Sequence, residues 1–148
     1  MNPLMSHIKT LGYGGLLPFV MLLASLLMLD EASFWHMTAQ RLLIWYSAII
    51  ITFVGALNWG LALLSDKMST TQRTTLLSYS VLPGLFVWLL LLLPPHLYLL
   101  CSALLYVACF AIDSRLTLPQ LPIEYGLMRR KLSFSVAGVL VLASQLVS

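Results

Sequence analysis

Apolar and polar positions divide the chain into five apolar runs separated by short polar or charged stretches. The runs cover residues 11–29, 42–64, 76–93, 97–112 and 132–147. A membrane-crossing helix needs roughly 20 mainly apolar residues, within a range of about 17–25. The first three runs meet that requirement, and the last two approach it once polar flanks extend them. For the fifth, Pro122 suits a first helical turn, and 123–131 holds no strong helix breaker except Gly126. The stretch 122–131 therefore reads as a helical approach along the membrane surface that feeds the last span. The pattern predicts an all-α, polytopic membrane helix bundle of five transmembrane helices, built as one integral membrane domain over residues 1–148.

The second run carries the most informative pattern. Its smallest residues, Ala48, Thr52, Ala56 and Gly60, recur every fourth position and would form a smooth helical stripe for close packing. Asn58 lies beside that stripe, inside the apolar zone. Two prolines, Pro18 and Pro83, each fall seven residues into a run. A helix starting at Pro18 would reach only about 18 Å by residue 29, against a hydrocarbon core of about 30 Å. Length thus favours a helix that passes through Pro18 and is kinked there. Each proline frees the carbonyl four residues earlier, that of Gly14 or Tyr79, and in hydrocarbon such a group needs another partner.

Asn58 sits at similar depth and offers two amide donors. One reading makes it the cap of a freed carbonyl that locks three helices together. The other makes Asn58 and Trp59 the lining of a small pocket in the kinked region of Pro18, Pro83 and Tyr79, for a lipid head, quinone or other ligand.

Composition sharpens the membrane reading. Hydrophobic residues make up 60% and charged residues 9% of the chain, and mean hydropathy is +0.95. A soluble domain of this length cannot hide that much apolar surface. The net charge of +3 does not signal a nucleic-acid partner, because the basic residues sit at the ends of apolar runs rather than on one face. Their distribution sets orientation instead. Lys9, Lys67, Arg73, Arg115, Arg129, Arg130 and Lys131 fall on one side of a five-span topology, and only Arg41 on the other. By the positive-inside rule the N-terminus is cytoplasmic and the C-terminus outside. Trp35, Trp45, Tyr46 and Tyr98 would then mark the outer interface, and Tyr13, Tyr79 and Tyr125 the inner one. The first run is long for a signal peptide and is not followed by a small-residue cleavage site, so it is expected to stay as a membrane helix.

Reactive constellations are absent. His7, His36 and His96 show no metal-ligand spacing, so no metal and no cofactor is expected. No Ser–His–Asp or Cys–His arrangement can be argued, and Gly12–Gly15 opens a span rather than following a strand. Cys101 and Cys109 are about 12 Å apart along one helix, too far to bridge, and suit core packing. Asp113 ends the fourth run. A helix C-terminus disfavours a carboxylate, so Asp113 is expected to pair with Arg129 or Arg130 in an interfacial ion pair that fixes the last helix.

Four motifs, taken in order, resemble a known family. They are LGYGGLLPF at 11–19, YSAIIITFVGALNWG at 46–60, YSVLPGLFVW at 79–88 and LPIEYGLMRRKL at 121–132. Together they are similar to a small bacterial integral-membrane family of unknown function, related to mitochondrial transmembrane protein 69. The likeness spans nearly the whole chain. In that family a basic or imidazole side chain often precedes the motif tryptophan, where this chain has Asn58. The resemblance implies a multi-pass protein of the cell inner membrane and brings no activity.

The expected function follows from what is missing. Helix faces without reactive groups suit a non-enzymatic subunit or assembly factor of a larger membrane complex, with membrane lipids around it and a membrane-protein partner or a second copy beside it. A lipid- or quinone-binding membrane module using the Asn58 region is the alternative. A small oligomeric transporter is a third, weakened because no Asp, Glu, Lys or Arg falls within the apolar cores.

Overall fold

The computed structural model describes residues 3–66 and 68–147; Lys67, counted above in the charge asymmetry, lies outside them. Among the described residues there are six α-helices and no strand. They are α1 (Pro3–Gly14), α2 (Leu17–Met28), α3 (Phe34–Leu64), α4 (Thr70–Leu90), α5 (Pro95–Leu116) and α6 (Ile123–Ser144), with a 3₁₀ turn at Leu118–Gln120 before α6. Four stretches are long and apolar enough to cross a membrane: Pro3–Met28, α3, α4 and α5. The fifth expected span belongs to α6, a continuous 22-residue helix. Arg129, Arg130 and Lys131 in its first half set it apart from the other four, and no break separates a surface approach from a span.

The first run departs from expectation at Pro18. The chain does not run through it as a kinked helix. α1 ends at Gly14, and α2 starts at Leu17 with Pro18 in its first turn. At a helix start the missing proline N–H has no acceptor to lose. The length deficit that argued against this arrangement is made up by α1, which begins eight residues before the apolar run. The Gly15 carbonyl, exposed by the break, accepts a hydrogen bond from the Tyr46 hydroxyl at 2.8 Å. Phe19 is fully buried, and its ring lies 4.9 Å from that of Tyr46.

α3 also begins earlier than its apolar run. Ser33 caps it, accepting from the His36 amide at 3.1 Å, so a stretch expected to be an outer loop is helix and His36 is buried. At 31 residues α3 is about 46 Å long. Ser69 and Gln72 form a reciprocal capping box at the start of α4.

α4 does run through Pro83. Here α3 comes so close that a Cβ on Gly55 would lie 2.6 Å from the Ser80 carbonyl oxygen and 3.3 Å from Pro83 Cγ. Only glycine fits. One turn on, a Cβ on Gly84 would meet Thr52 at 3.3 Å. The small-residue stripe is therefore half right. Thr52 packs on α4, but Ala56 is exposed and a Cβ on Gly60 would meet no other element within 4 Å. The face of α3 turned inward carries Ser47, Ile51, Gly55, Asn58 and Ala62 instead.

Three tyrosines expected at the membrane surfaces are packed among the helices. Tyr79 and Tyr98 are buried, and Tyr46 is half-buried. Each hydroxyl donates to a backbone carbonyl on a neighbouring helix, or in the break between α1 and α2. Such groups can sit deep because the bond replaces water. Trp35 and Trp45 are exposed, as belt residues would be.

Candidate functional site

One face of α5, continued by Thr117 just past its end, organises the interior. Tyr98, Ser102, Tyr106, Cys109, Asp113 and Thr117 follow one another at intervals of three or four residues, and all six are buried. That spacing puts them on one side of a helix. They divide into two clusters.

The first lies toward the start of α5. Tyr98 donates to the Ile44 carbonyl at 3.0 Å, and its oxygen is 2.9 Å from the Ser47 hydroxyl. Ser47 bonds the Ile44 carbonyl, and Tyr106 donates to the Ser47 carbonyl at 2.8 Å. These bonds tie α5 to α3. Ser102 Oγ is buried there without a partner.

The second cluster lies at the other end, where α3, α5 and the start of α6 meet. This is the basic end of the bundle. Arg129 Nη2 donates to Asp113 Oδ2 at 3.1 Å, and Nη1 donates to Ser133 Oγ at 2.9 Å. Both charged side chains are more than nine-tenths buried. Thr117 Oγ1 donates to Asn58 Oδ1 at 2.8 Å, and the Tyr79 hydroxyl donates to the Cys109 carbonyl at 3.2 Å. Asn58 and Tyr79 both lie beside the Asp113 carboxylate. The other carboxylate oxygen, Asp113 Oδ1, is buried and has no hydrogen-bond partner.

A groove of about 540 Å³ opens onto this cluster. Asp113, Asn58, Thr117 and Arg129 contribute to its lining, and its apolar walls include Met5 and Ile8 of α1 and Leu57 and Leu61 of α3. A second hollow of about 300 Å³ shares Ile8, Val54, Leu57, Tyr125 and Arg129 with it and continues along α2 toward Phe19. α1 forms a wall of both. Lys9 of α1 binds Glu124 of α6 at 2.8 Å, and this ammonium holds the Glu124 carboxyl below its ordinary range.

The sequence-derived residues separate accordingly. Asn58 and Tyr79 meet at the Asp113 carboxylate. Neither Gly14 nor Tyr79 supplies the carbonyl expected for Asn58, whose partner is Thr117. Trp59 is exposed on the outer face of α3, and neither Pro18 nor Pro83 lines the groove. Asp113 is paired with Arg129, while Arg130 is exposed. The pair is buried among the helices. Thr117, Ser133 and the Lys9–Glu124 bridge were not anticipated. The three-to-four spacing of polar residues along 98–117 was the available signal for Thr117. No group of three or more His, Cys, Asp or Glu among the described residues could hold a metal ion.

Helices of this length and apolarity around a buried ion pair define a helical membrane protein. The chain belongs to the family described as Protein of unknown function (DUF3429), whose profile matches residues 4–145. No curated protein and no solved structure matches it.

Proposed function

We propose that this protein is a non-enzymatic inner-membrane module that holds a lipophilic molecule, a lipid or a quinone, in the groove at its basic end. All five long segments cross the bilayer, α6 included, with the basic end and N-terminus cytoplasmic and the C-terminus outside. One observation carries the reading: a carboxyl group paired with arginine at an apolar groove keeps one buried oxygen without a donor. Removing a charged group from water without a partner is costly, so an intramembrane carboxylate of this kind points to function by default. The apolar walls and volume match a small-ligand site, which typically encloses about 300–1,000 Å³.

A second reading rests on Gly60 and Ala56, the uncovered half of the small-residue stripe. There a helix of a partner complex would dock, making the protein a subunit or assembly factor, in keeping with the likeness to mitochondrial transmembrane protein 69. Purification in mild detergent, followed by solvent extraction and mass spectrometry, separates the two. A lipophile retained near one per chain is the expected result. Recovery as a stable larger complex with no such molecule would overturn the ligand reading in favour of the subunit.

A further inference from the structure

We infer that the molecule held in the groove has an uncharged head bearing a hydroxyl group, which donates to Asp113 Oδ1. The inference rests on the groove being a ligand site and adds the chemistry of the ligand's head.

Charge comes first. The only charged side chains lining the groove among the described residues are Asp113 and Arg129, and they are paired with each other. The second hollow adds no further charge. The site is thus neutral as built. A charged head would bring one uncompensated charge into apolar surroundings, which is strongly unfavourable. A neutral head leaves the balance intact.

Hydrogen bonding comes second. Oδ1 of an ionised carboxylate can only accept. What it lacks is a donor: Thr117 is committed to Asn58, Tyr79 to the Cys109 carbonyl, and Arg129 to Oδ2 and Ser133, while the Asn58 amide and the Tyr125 hydroxyl, which also line the groove, make no hydrogen bond to it. A ligand that only accepts, such as a ketone or quinone, would face that oxygen with another lone pair. A hydroxyl supplies the missing proton.

Size comes third. A cavity of about 150 Å³ accommodates benzene, so about 540 Å³ takes a single ring or glycerol-sized head with the start of a chain. The walls from α1 and α3 are apolar enough for that chain to continue along Leu57 toward the second hollow.

Two sources share this chemistry: the aromatic hydroxyl of a reduced quinone and the glycerol hydroxyl of an acylglycerol. The test titrates the full chain in nanodiscs, under argon, with decylbenzoquinol, decylbenzoquinone, monodecanoylglycerol, decanoate and decylammonium, with binding read by calorimetry. The quinol and quinone have one skeleton and differ in the donor. The quinol should bind about tenfold tighter or more, as expected for a hydrogen bond to a charged group. The acylglycerol arm tells which hydroxyl fits better. Asp113→Asn should bring the quinol-to-quinone ratio close to one; should that variant fail to fold, the ratio in the native chain decides by itself. Equal binding of quinol and quinone, or tighter binding of either charged probe, overturns the inference while the ligand site stands. Failure of all five probes to bind overturns the site as well.

Discussion

The two buried polar clusters on α5 share a helix face and differ in how completely they are closed. Near the start of α5, the hydroxyls of Tyr98, Ser47 and Tyr106 all end on backbone carbonyls of α3. What is left over is the neutral hydroxyl of Ser102, which lines neither the groove nor the second hollow. At the basic end, what is left over is a carboxylate oxygen of a residue that lines a 540 Å³ groove. A neutral orphan away from both is a small imperfection of packing, on the order of 1–3 kcal/mol. A charged orphan beside space is an unfinished site. The same residue types thus serve structure in one half of the helix and recognition in the other.

The sharpest break of this comparison targets the ion pair. Arg129→Met would leave Asp113 buried and unpaired and should destabilise the protein by about 3–5 kcal/mol. Replacing both, as Asp113→Leu with Arg129→Met, should recover most of that loss, because an apolar pair needs no compensation. Thermal unfolding in detergent ranks the variants. Near-native stability of Arg129→Met would mean that Asp113 already has another partner and that the basic-end cluster is as closed as its counterpart.

Next in size is the contact between α3 and α4. Gly55→Ala places a methyl group 2.6 Å from the Ser80 carbonyl oxygen, which is backbone and cannot rotate aside. The expected loss is about 1–3 kcal/mol. Gly60→Leu should cost less than about 0.5 kcal/mol, because a Cβ there would meet no other element within 4 Å. It should instead reduce retention of a groove ligand, since Gly60 is part of the lining. If Gly60→Leu unfolds the protein and Gly55→Ala does not, the packing described between these helices is misassigned.

The clusters themselves are compared by Tyr98→Phe and Asn58→Leu. Tyr98→Phe removes a donor to the Ile44 carbonyl and should cost about 1 kcal/mol with no effect on ligand retention. Asn58→Leu should cost about 0.6 kcal/mol, at most about 1.7, and should alter retention. The crossed result, ligand lost with Tyr98→Phe and kept with Asn58→Leu, would place the site in the wrong cluster.

Much of the helical architecture was legible because apolar runs of bilayer length leave few alternatives. Asn58 and Asp113 stood out for the same reason, as polar groups where polarity is costly. The errors share a cause. Pro18 was judged by the length of the apolar run alone, and the amphipathic residues 3–10 that complete the first segment are invisible to a search for continuous apolarity. Ser33 likewise extends α3 through a polar stretch by capping it. The stripe of small residues marked the correct helix, but which side faces α4 is set by the close approach of Gly55 to Ser80 and Pro83, and spacing does not encode that. Partner choice was the least legible feature. Thr117 reaches Asn58 because the end of α5 meets α3 more than a turn before α3 itself ends, a fact of packing rather than of local sequence.

The smallest expected effect concerns the wall that α1 contributes to the groove. Lys9 and Glu124 bind at 2.8 Å but are 33% and 56% exposed, so solvent screens the pair and it adds little to global stability. Its effect is local, on whether α1 stays over the groove. The Glu124 carboxyl is held below its ordinary value of 4.5, first by the hydrogen bond from Lys9 and then by its charge. A lowered carboxylate contributes above the ordinary value and loses that contribution as pH falls through the lowered one. The position of α1 should therefore be constant from about pH 8 to pH 5 and loosen below the ordinary carboxylate range. Spin labels on α1 and α6 would follow this as a broadened distance distribution in acid. Lys9→Met should give the same broadening at neutral pH, and about 1 M salt, where the screening length is about 3 Å, should give part of it. An α1 that stays in place under all three conditions would show that its apolar contacts with α6 suffice, and that this wall of the groove is as fixed as the closed cluster at the other end of α5.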